Sequence, residues 1–442
     1  MKTEFLINLG DSGGEIDRCM SCGLCLQDCP TYNITGRFSS SPRGRIRLMK
    51  HILAGTIALD DIVPYTGVSV QHELETCLGC LACKTSCPAD IMYPDLLDGL
   101  KVTLYRERKK YSEQLDTFLE EMPVGQPEKF RRLMGMLSVA GRSGLIGLVN
   151  HTPLKNLLPS VKRNMARLLA KKIPFRSSSK VLSGVLPAVG RKKMRVGMFL
   201  GCINDHMFPE ANYAIVRVLR RLGAEVVIPQ TESCCGAIHH HMGETGLSGQ
   251  MAITNCERFA GLDVDAIAVN AAGCGFFIKN YGKAVPGNPV IEEIGPRFRD
   301  IHEIIWELLD MDPSLKDQWI WPRKGEKFTY HEACHLVHGQ GIGDLPLTLL
   351  KYIRGLEFVP LNESSMCCGS AGTHNIFYPE LSQKIQERKI RNILDTGSGI
   401  VAAANSGCVL QILSGLRQKG KFRIKCYHPV EMIDMSWLQE KS

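Results

Sequence analysis

Apolar positions along this chain change period twice. Near the start, Ile46, Met49, Ile52 and Leu53 recur at helical spacing, and Pro42 just ahead of them suits a first helical turn. Farther on, Leu133, Met136, Leu137 and Ala140 form one apolar stripe. A second contains Val161, Met165, Leu168 and Leu169, interleaved with Lys162, Arg163, Arg167, Lys171 and Lys172, and Gly, Pro and Ser interrupt both. From Arg195 the pattern becomes short apolar runs at 196–200, 226–228 and 266–269, with helical stretches such as 211–222 between them. After a break near 310–325 the same order returns, with strands expected at 328–331, 358–361 and 400–404 and a long helix at 381–394. Strands alternating with helices predict parallel sheets covered on both faces.

These changes divide the 442 residues into four stretches: a helical region at 1–110, a basic helical linker at 111–194, and two α/β domains at 195–318 and 325–442. The length suits about three domains with cores of their own. Hydrophobic content of 44% and a charged fraction of 22% are ordinary for a soluble globular protein. No stretch approaches the roughly eighteen apolar residues of a membrane span, and 1–18 lacks the basic start and apolar core of a signal peptide. A reducing cytoplasm is therefore expected, where thiols persist. The net charge of +8 hides an asymmetry: from Lys129 through Asn204 there are sixteen Lys and Arg and no Asp or Glu. Such a block is a surface for an acidic protein partner, an anionic membrane or a solvated helix face. Nucleic acid ranks last, because no aromatic interleaving or nucleic-acid motif accompanies the charge.

The cysteines carry the chemistry. Cys19, Cys22, Cys25 and Cys29-Pro30, then Cys77, Cys80, Cys83 and Cys87-Pro88, both follow C-x2-C-x2-C-x3-C-P. In that bacterial ferredoxin spacing three thiolates grip one [4Fe–4S] cluster and the fourth crosses to the other. Cys19, Cys22, Cys25 and Cys87 are thus assigned to one cluster, and Cys77, Cys80, Cys83 and Cys29 to its neighbour. Zinc ribbons, which use pairs of thiolates, fit two complete four-cysteine runs poorly. The long helical insert between the runs points to a mainly helical two-cluster domain, not a small β-rich ferredoxin. Within that insert Arg43, Arg45 and Arg47 either offset cluster charge, dock a partner or form a solvated helix face.

The α/β halves repeat a second cysteine set. Cys202, Cys234, Cys235 and Cys274 recur as Cys334, Cys367, Cys368 and Cys408, at offsets of 132, 133, 133 and 134 residues. Register held that closely marks an internal duplication. Each group follows an expected strand, where open α/β sheets place ligands. Four converging thiolates per copy would hold a further cluster or zinc, or the vicinal pairs would cycle as a disulfide. Cys256 and Cys426 have no counterparts and read as core residues. His239, His240, His241, His331, His335, His338 and His374 crowd these groups, with His331 and His335 the best candidate ligands or proton carriers.

Together the two ferredoxin runs, Ser-Pro-Arg-Gly-Arg-Ile at 41–46, Gly-Cys-Gly-Phe-Phe-Ile-Lys-Asn-Tyr-Gly at 273–282 and Cys-Cys-Gly-Ser-Ala-Gly-Thr at 367–373 closely resemble the iron–sulfur subunit of glycolate oxidase and its lactate-utilisation relatives, over nearly the full length. The resemblance implies two [4Fe–4S] clusters, one or two further clusters in the Cys-Cys-Gly domains, and an FAD-containing partner that oxidises a 2-hydroxyacid. It also implies that electrons pass onward to quinone, at the inner face of the cell membrane. The Cys-Cys-Gly modules are similar to those of heterodisulfide reductase, which hold noncubane clusters, but Phe277 and Gln411 stand where that family has a further cysteine. The iron–sulfur subunit of anaerobic glycerol-3-phosphate dehydrogenase is a second related type. No Gly-x-Gly-x-x-Gly follows a strand, so neither bound flavin nor nicotinamide is expected, and the chain should not turn over substrate alone.

Overall fold

The computed structural model describes residues 14–111, 126–143, 163–165, 173–174, 176–229 and 234–437. The chain forms two compact units that interleave in sequence. One comprises Met1–Met122, Ile238–Gly246 and Met366–Arg388, and the other Pro123–Ala237, Leu247–Ser365 and Lys389–Ser442.

Short helices carry both ferredoxin runs in the first unit. Helix α1 (Pro30–Thr35) starts directly after Cys29, α2 (Pro42–Ala54) occupies the insert, α3 (Val70–Glu75) ends just before Cys77, and α4 (Tyr93–Tyr111) follows the second run. Helix α2 begins where the sequence implies. The Ser41 hydroxyl accepts from the Gly44 N–H at 3.0 Å, Pro42 fills the first turn, and Gly55 ends the helix at φ 72°. Its stripe of Ile46, Met49 and Ile52 is buried with Val70, Leu74, Leu96, Leu97 and Leu100, which makes a helical core. Gly44 permits this packing, because a Cβ there would lie 2.0 Å from the Phe38 carbonyl oxygen.

The second unit holds two sheets. Strands β1 (Gly184–Leu186), β2 (Met194–Phe199), β3 (Ala224–Ile228), β4 (Ala266–Val269) and β5 (Phe298–Asp300) run in the order β1-β3-β2-β4-β5. All pairings are parallel except that of β1 at the edge. Strands β6 (Glu326–His331), β7 (Leu356–Phe358), β8 (Ile400–Ala403) and β9 (Lys425–Tyr427) form an all-parallel sheet in the order β7-β6-β8-β9. Position for position this repeats β3-β2-β4-β5, so the duplication seen in the cysteines extends to the topology. Strands β4 and β8 are buried along their whole length, as parallel strands covered on both faces must be. The expected strand at 358–361 lies earlier, at β7: Val359 still donates to the Phe328 carbonyl at 2.8 Å, but Pro360 has no N–H with which to continue the ladder.

Helix α5 (Pro127–Arg142) carries the first stripe, with a rotated face. Phe130, Met134 and Ser138 are buried, whereas Met136 is 64% exposed. The Phe130 ring lies 5.0 Å from that of His206, and the Ser138 hydroxyl donates to the Ile173 carbonyl at 3.0 Å; these contacts choose the buried line. Of the second stripe, Val161, Leu168 and Leu169 lie outside the described residues.

Both sheets share one core. Helix α6 (Cys202–Met207) leads into α7 (Pro209–Arg221), whose Ile215, Val218 and Leu219 are buried together with Val430, Met432 and Ile433 of α13 (Pro429–Ser436) and with Trp319. Arg217 and Arg221 both pair with Asp434, at 2.6 and 3.2 Å. Between these helices come α8 (Thr245–Ala260), α9 (Ala272–Lys279), α10 (Ile301–Met311), α11 (Pro379–Asp395) and α12 (Ser406–Gln418). The duplication reaches the helix caps. Asp300 caps α10 in a capping box with Glu303, and His428 caps α13 in one with Glu431. His302 stacks on His428 with centroids 5.4 Å apart, and its Nδ1 lies 2.6 Å from Asp300 Oδ1.

Burial first, and then the charge on His302, push the His428 imidazole down to about 3, against the opposing Asp300 carboxylate. An unfolded chain protonates this residue near its ordinary 6.5, so the stability present above that pH is lost as the pH falls toward 3. The slope from one such group is about 1.4 kcal/mol per pH unit. Urea denaturation of His428→Asn, which keeps a capping side chain, should show a shallower loss of stability between pH 6 and pH 4 by roughly that amount. Equal slopes for variant and parent would refute the assignment.

Candidate iron–sulfur centres

The two ferredoxin runs coil alike. Ser21 and Gly79, each two residues after the first cysteine of its run, have φ of 55° and 60°; Gly23 and Leu81, each just after the second cysteine, have φ of 89° and 66°. Left-handed residues at matched positions wind each loop tightly enough to turn successive sulfurs inward, and at Leu81 a branched side chain accepts that conformation. Cys19, Cys22, Cys25 and Cys87 line a single cavity together with Cys83, Arg43, Ile46 and Tyr93. Burial raises the Cys83 thiol well above its ordinary range, followed by the negative charges of Cys80, Cys77, Cys29 and Cys25 in that order. Cys87 of the second run thus lines the same cavity as the first trio, and Cys29 stands near enough to both Cys25 and Cys83 to act on each thiol. The described lining of the cavity contains thiols and no carboxylate or imidazole, a donor set that suits an iron–sulfur cluster.

Polar groups reach these sulfurs from outside the runs. The Thr31 hydroxyl oxygen lies 3.2 Å from Cys29 Sγ, and Tyr93 donates its hydroxyl to Cys77 Sγ at 3.7 Å. His374 Nε2 lies 3.1 Å from the Thr76 carbonyl, next to Cys77. Burial and then, among charges, Arg45 and Lys101 hold His374 down to about 3, against its hydrogen bond with Thr76. His374 is therefore neutral near pH 7. Sequence reasoning had no signal for Thr31 or Tyr93, since neither lies within the cysteine spacing.

In the first Cys-Cys-Gly copy the four thiols converge. Cys202 follows β2 and Cys274 follows β4, the adjacent strands whose connections leave to opposite sides; this is the switch point of the sheet. Cys202 is raised well above the thiol range, chiefly by its hydrogen bond with Cys234 and then by burial. Cys235 is raised likewise by hydrogen bonds with Cys234 and Cys274, then by burial. The N–H groups of Gly236 and Ala237 donate to Cys234 Sγ at 3.5 Å and Cys235 Sγ at 3.4 Å. Gly236 adopts φ 86°, and a Cβ there would stand 3.1 Å from the Ser248 carbonyl, so the turn that aims these donors requires glycine. Behind the pair, Tyr281 donates to the Cys235 carbonyl at 2.8 Å and Asn255 to the Cys234 carbonyl at 2.7 Å. Phe277 is buried in edge contact with Tyr281, its centroid 5.3 Å away, so an apolar ring fills the position of a fifth thiolate.

The second copy repeats the strand ends and, separately, the turn at its Cys-Cys pair. Cys334 follows β6 and Cys408 lies on α12 after β8, again the switch-point strands. Gly369 donates its N–H to Cys367 Sγ at 3.5 Å, matching Gly236. Asn405 donates to Cys408 Sγ at 3.4 Å. Cys367 and Cys368 belong to the 366–388 segment of the first unit, whereas Cys334 and Cys408 belong to the second unit.

Within the second unit the copies are stitched directly. Gly273 donates to the Asn405 side chain at 3.3 Å, Ala272 donates to the Ala404 carbonyl at 3.1 Å, and Gln340 donates to the Ala272 carbonyl at 3.0 Å. The His335 ring packs on Phe276 at 4.9 Å, within a π-helical turn at His335–Gln340. His331 is fully buried, and burial and then Lys389 hold it well below the ordinary histidine value. Of the histidine triplet, His239 is buried and His240 faces Asp98 at 3.2 Å. Cys256 is buried in the core and pushed up to about 11 by burial, while Cys426 lies on β9.

Two family models match the chain: a 4Fe-4S dicluster domain over residues 15–91, and a cysteine-rich CCG domain over 196–279 and again over 328–413. Among curated proteins, the chain is 33% identical over 432 residues to the probable glycolate oxidase iron-sulfur subunit of Bacillus subtilis (strain 168), covering 95% of this chain and 94% of that protein. It is 29% identical to the glycolate oxidase iron-sulfur subunit of Escherichia coli (strain K12), over 96% of this chain and 94% of that one. Lactate utilization protein A of Geobacillus kaustophilus (strain HTA426) matches at 29% over 54% of this chain and 99% of its own length.

In metal-free protein, alkylation at pH 8 followed by mass spectrometry should label the exposed Cys22 roughly tenfold faster or more than Cys83, Cys202 and Cys235, whose thiols are raised. Uniform labelling rates would contradict the burial and crowding described.

Proposed function

The chain belongs to the family of glycolate oxidase iron–sulfur subunits, and from that premise we propose that it is the electron-transfer subunit of a flavin-dependent dehydrogenase for a 2-hydroxyacid, glycolate or lactate. The observation that carries this reading is the cavity that Cys19, Cys22 and Cys25 of the first run line together with Cys83 and Cys87 of the second. Cys19, Cys22, Cys25 and Cys87 would hold one [4Fe–4S] cluster, and Cys77, Cys80, Cys83 and Cys29 the other. Cys202, Cys234, Cys235 and Cys274, and in the second copy Cys334, Cys367, Cys368 and Cys408, are proposed to hold further clusters. Bound clusters accept electrons singly and so divide the pair that a partner's reduced flavin delivers.

The chain's own residues supply the surroundings. N–H groups at Gly236, Ala237 and Gly369 stand ready to donate to thiolate sulfur, which stabilises added negative charge. With no dinucleotide fingerprint after any strand, hydride abstraction is assigned to the partner flavoprotein. Quinone at the inner face of the membrane is proposed as onward acceptor. Helix α5 supports a surface role there, since it exposes Arg131 and Arg132 beside Met136 and Val139. Among the described residues no helix is long and apolar enough to cross a membrane.

Anaerobic purification, alone and with an FAD-containing partner, should give iron and sulfide but no flavin on the lone chain. About eight irons per chain would correspond to the ferredoxin pair alone, and about sixteen to all four groups. Dye reduction by glycolate or lactate should require both proteins. A lone chain that carries flavin and oxidises the hydroxyacid unaided would overturn the proposal.

A further inference from the structure

We infer that Arg45 controls how electrons distribute between the two ferredoxin centres, holding the one carried by Cys29, Cys77, Cys80 and Cys83 at the higher reduction potential. The inference rests on reading the two runs as cluster sites and adds to it a direction for the electron.

Arg45 is 1% exposed, among the most deeply buried large side chains of the molecule. Its hydrogen bonds all go to neutral oxygens. Nε donates to the Glu73 backbone carbonyl at 2.7 Å, both Nη groups donate to Thr31 Oγ1 at 3.2 Å, and Nη2 also reaches Thr76 Oγ1 at 3.4 Å. The nearby Glu73 carboxylate is engaged elsewhere, by Arg37 Nε at 2.6 Å and by the Ser40 hydroxyl. Two guanidinium groups therefore face one carboxylate, which leaves a net positive charge in a buried place. An arginine cannot shed that charge by deprotonation.

What balances the excess is sulfur. The threonine that receives both Arg45 Nη groups stands 3.2 Å from Cys29 Sγ, and Thr76 directly precedes Cys77. Burial opposes the Arg45 charge, yet its proton affinity is raised overall, first by Cys77 and then by Tyr93, Cys29 and the Glu73 carboxylate. Cys29 and Cys77 come from different runs but fall in the same proposed ligand set. The buried charge thus acts on one centre of the pair.

The other centre has a weaker counterpart. Arg43 is half-exposed; its Nη1 donates to the Ser21 carbonyl at 2.6 Å, and its guanidinium lies 4.7 Å above the Phe38 ring. Water screens a charge at the surface far more than one in the interior. The step involved is a one-electron transfer. What the partner's reduced flavin loses the receiving centre gains, with one added negative charge and no bond made or broken. A fixed buried cation beside that centre favours the gain.

The test uses the loaded protein under anaerobic conditions, with potentials read by titration followed by electron paramagnetic resonance. Arg45→Met should make one ferredoxin centre at least tenfold harder to reduce, which is 59 mV for one electron. The affected signal should be the one that Cys80→Ser disturbs and Cys22→Ser does not. Arg45→Lys, which keeps the charge, should restore most of the shift, and Arg43→Met should leave that centre alone. Should Arg45→Met fail to load iron, Arg45→Gln decides, because its amide keeps N–H donors for Thr31 while removing the charge. It should produce a shift in the same direction at the same centre. Unchanged potentials in iron-replete Arg45→Met, a shift at the Cys22 centre instead, or unchanged potentials in Arg45→Gln when Arg45→Met is unloaded would each overturn the inference while leaving the cluster reading intact. A parent protein without iron would overturn the cluster reading itself.

Discussion

Thiols crowded together in partly or fully buried places are the constraint on which this molecule depends. Cys83, Cys202 and Cys235 are each surrounded by other sulfurs, and each is pushed well above the ordinary thiol range by burial and by its neighbours. Left to themselves such groups stay protonated, since several thiolates side by side would repel one another with little water between them. A bound metal centre reverses that preference, because a coordinated thiol gives up its proton. The scaffold is already arranged for the charged form. N–H donors point at sulfur from Gly236, Ala237 and Gly369, and a guanidinium stands behind Cys29 and Cys77. Much of the sequence outside the cysteines serves to hold these sulfurs close without letting the protein separate them.

Duplication gives the second unit two matching switch points. Strands β2 and β4 in one sheet, and β6 and β8 in the other, place a cysteine after each carboxyl end at the one crevice where the connections diverge. The repeats are not independent domains joined by a tether. Ile215 and Leu219 of the first copy share a core with Val430 and Ile433 of the second, and Arg217 and Arg221 both reach Asp434. Cys274 sits on a helix whose first N–H groups bond to Ala404 and Asn405, at the strand end that also leads to Cys408.

How much of this was legible in the sequence depends on whether the controlling interaction is local. Cysteine spacing and the buried parallel strands are local properties, so the ferredoxin runs, the α2 helix and the strand at 266–269 stand where the pattern puts them. Strands β1, β5 and β9 escaped because three residues at or near an edge carry no periodicity. The face of α5 was misjudged for a similar reason. Counting Leu and Met selects Leu133, Met136 and Leu137, whereas His206 and the Ile173 carbonyl, distant in sequence, select Phe130 and Ser138.

Arg43, Arg45 and Arg47 show the limit most clearly. As a charge run they read alike, and a solvated helix face explains three arginines as well as anything else does. On a helix, however, two residues span about 200°, so alternate positions fall on nearly opposite faces. Arg43 is half-exposed, Arg47 is exposed and Arg45 is enclosed. Periodicity alone marks Arg45 as the inward member, since it adjoins Ile46 and stands four residues before Met49 on the face that packs into the helical core. Identifying what it meets there needs the fold. Thr31 and Thr76 are 14 and 31 residues away, and each belongs to or borders a different cysteine run. A buried cation is costly unless opposite charge compensates it. Its survival among neutral oxygens, with the carboxylate of Glu73 turned toward Arg37, implies that the compensating charge lies in the sulfur ligands themselves.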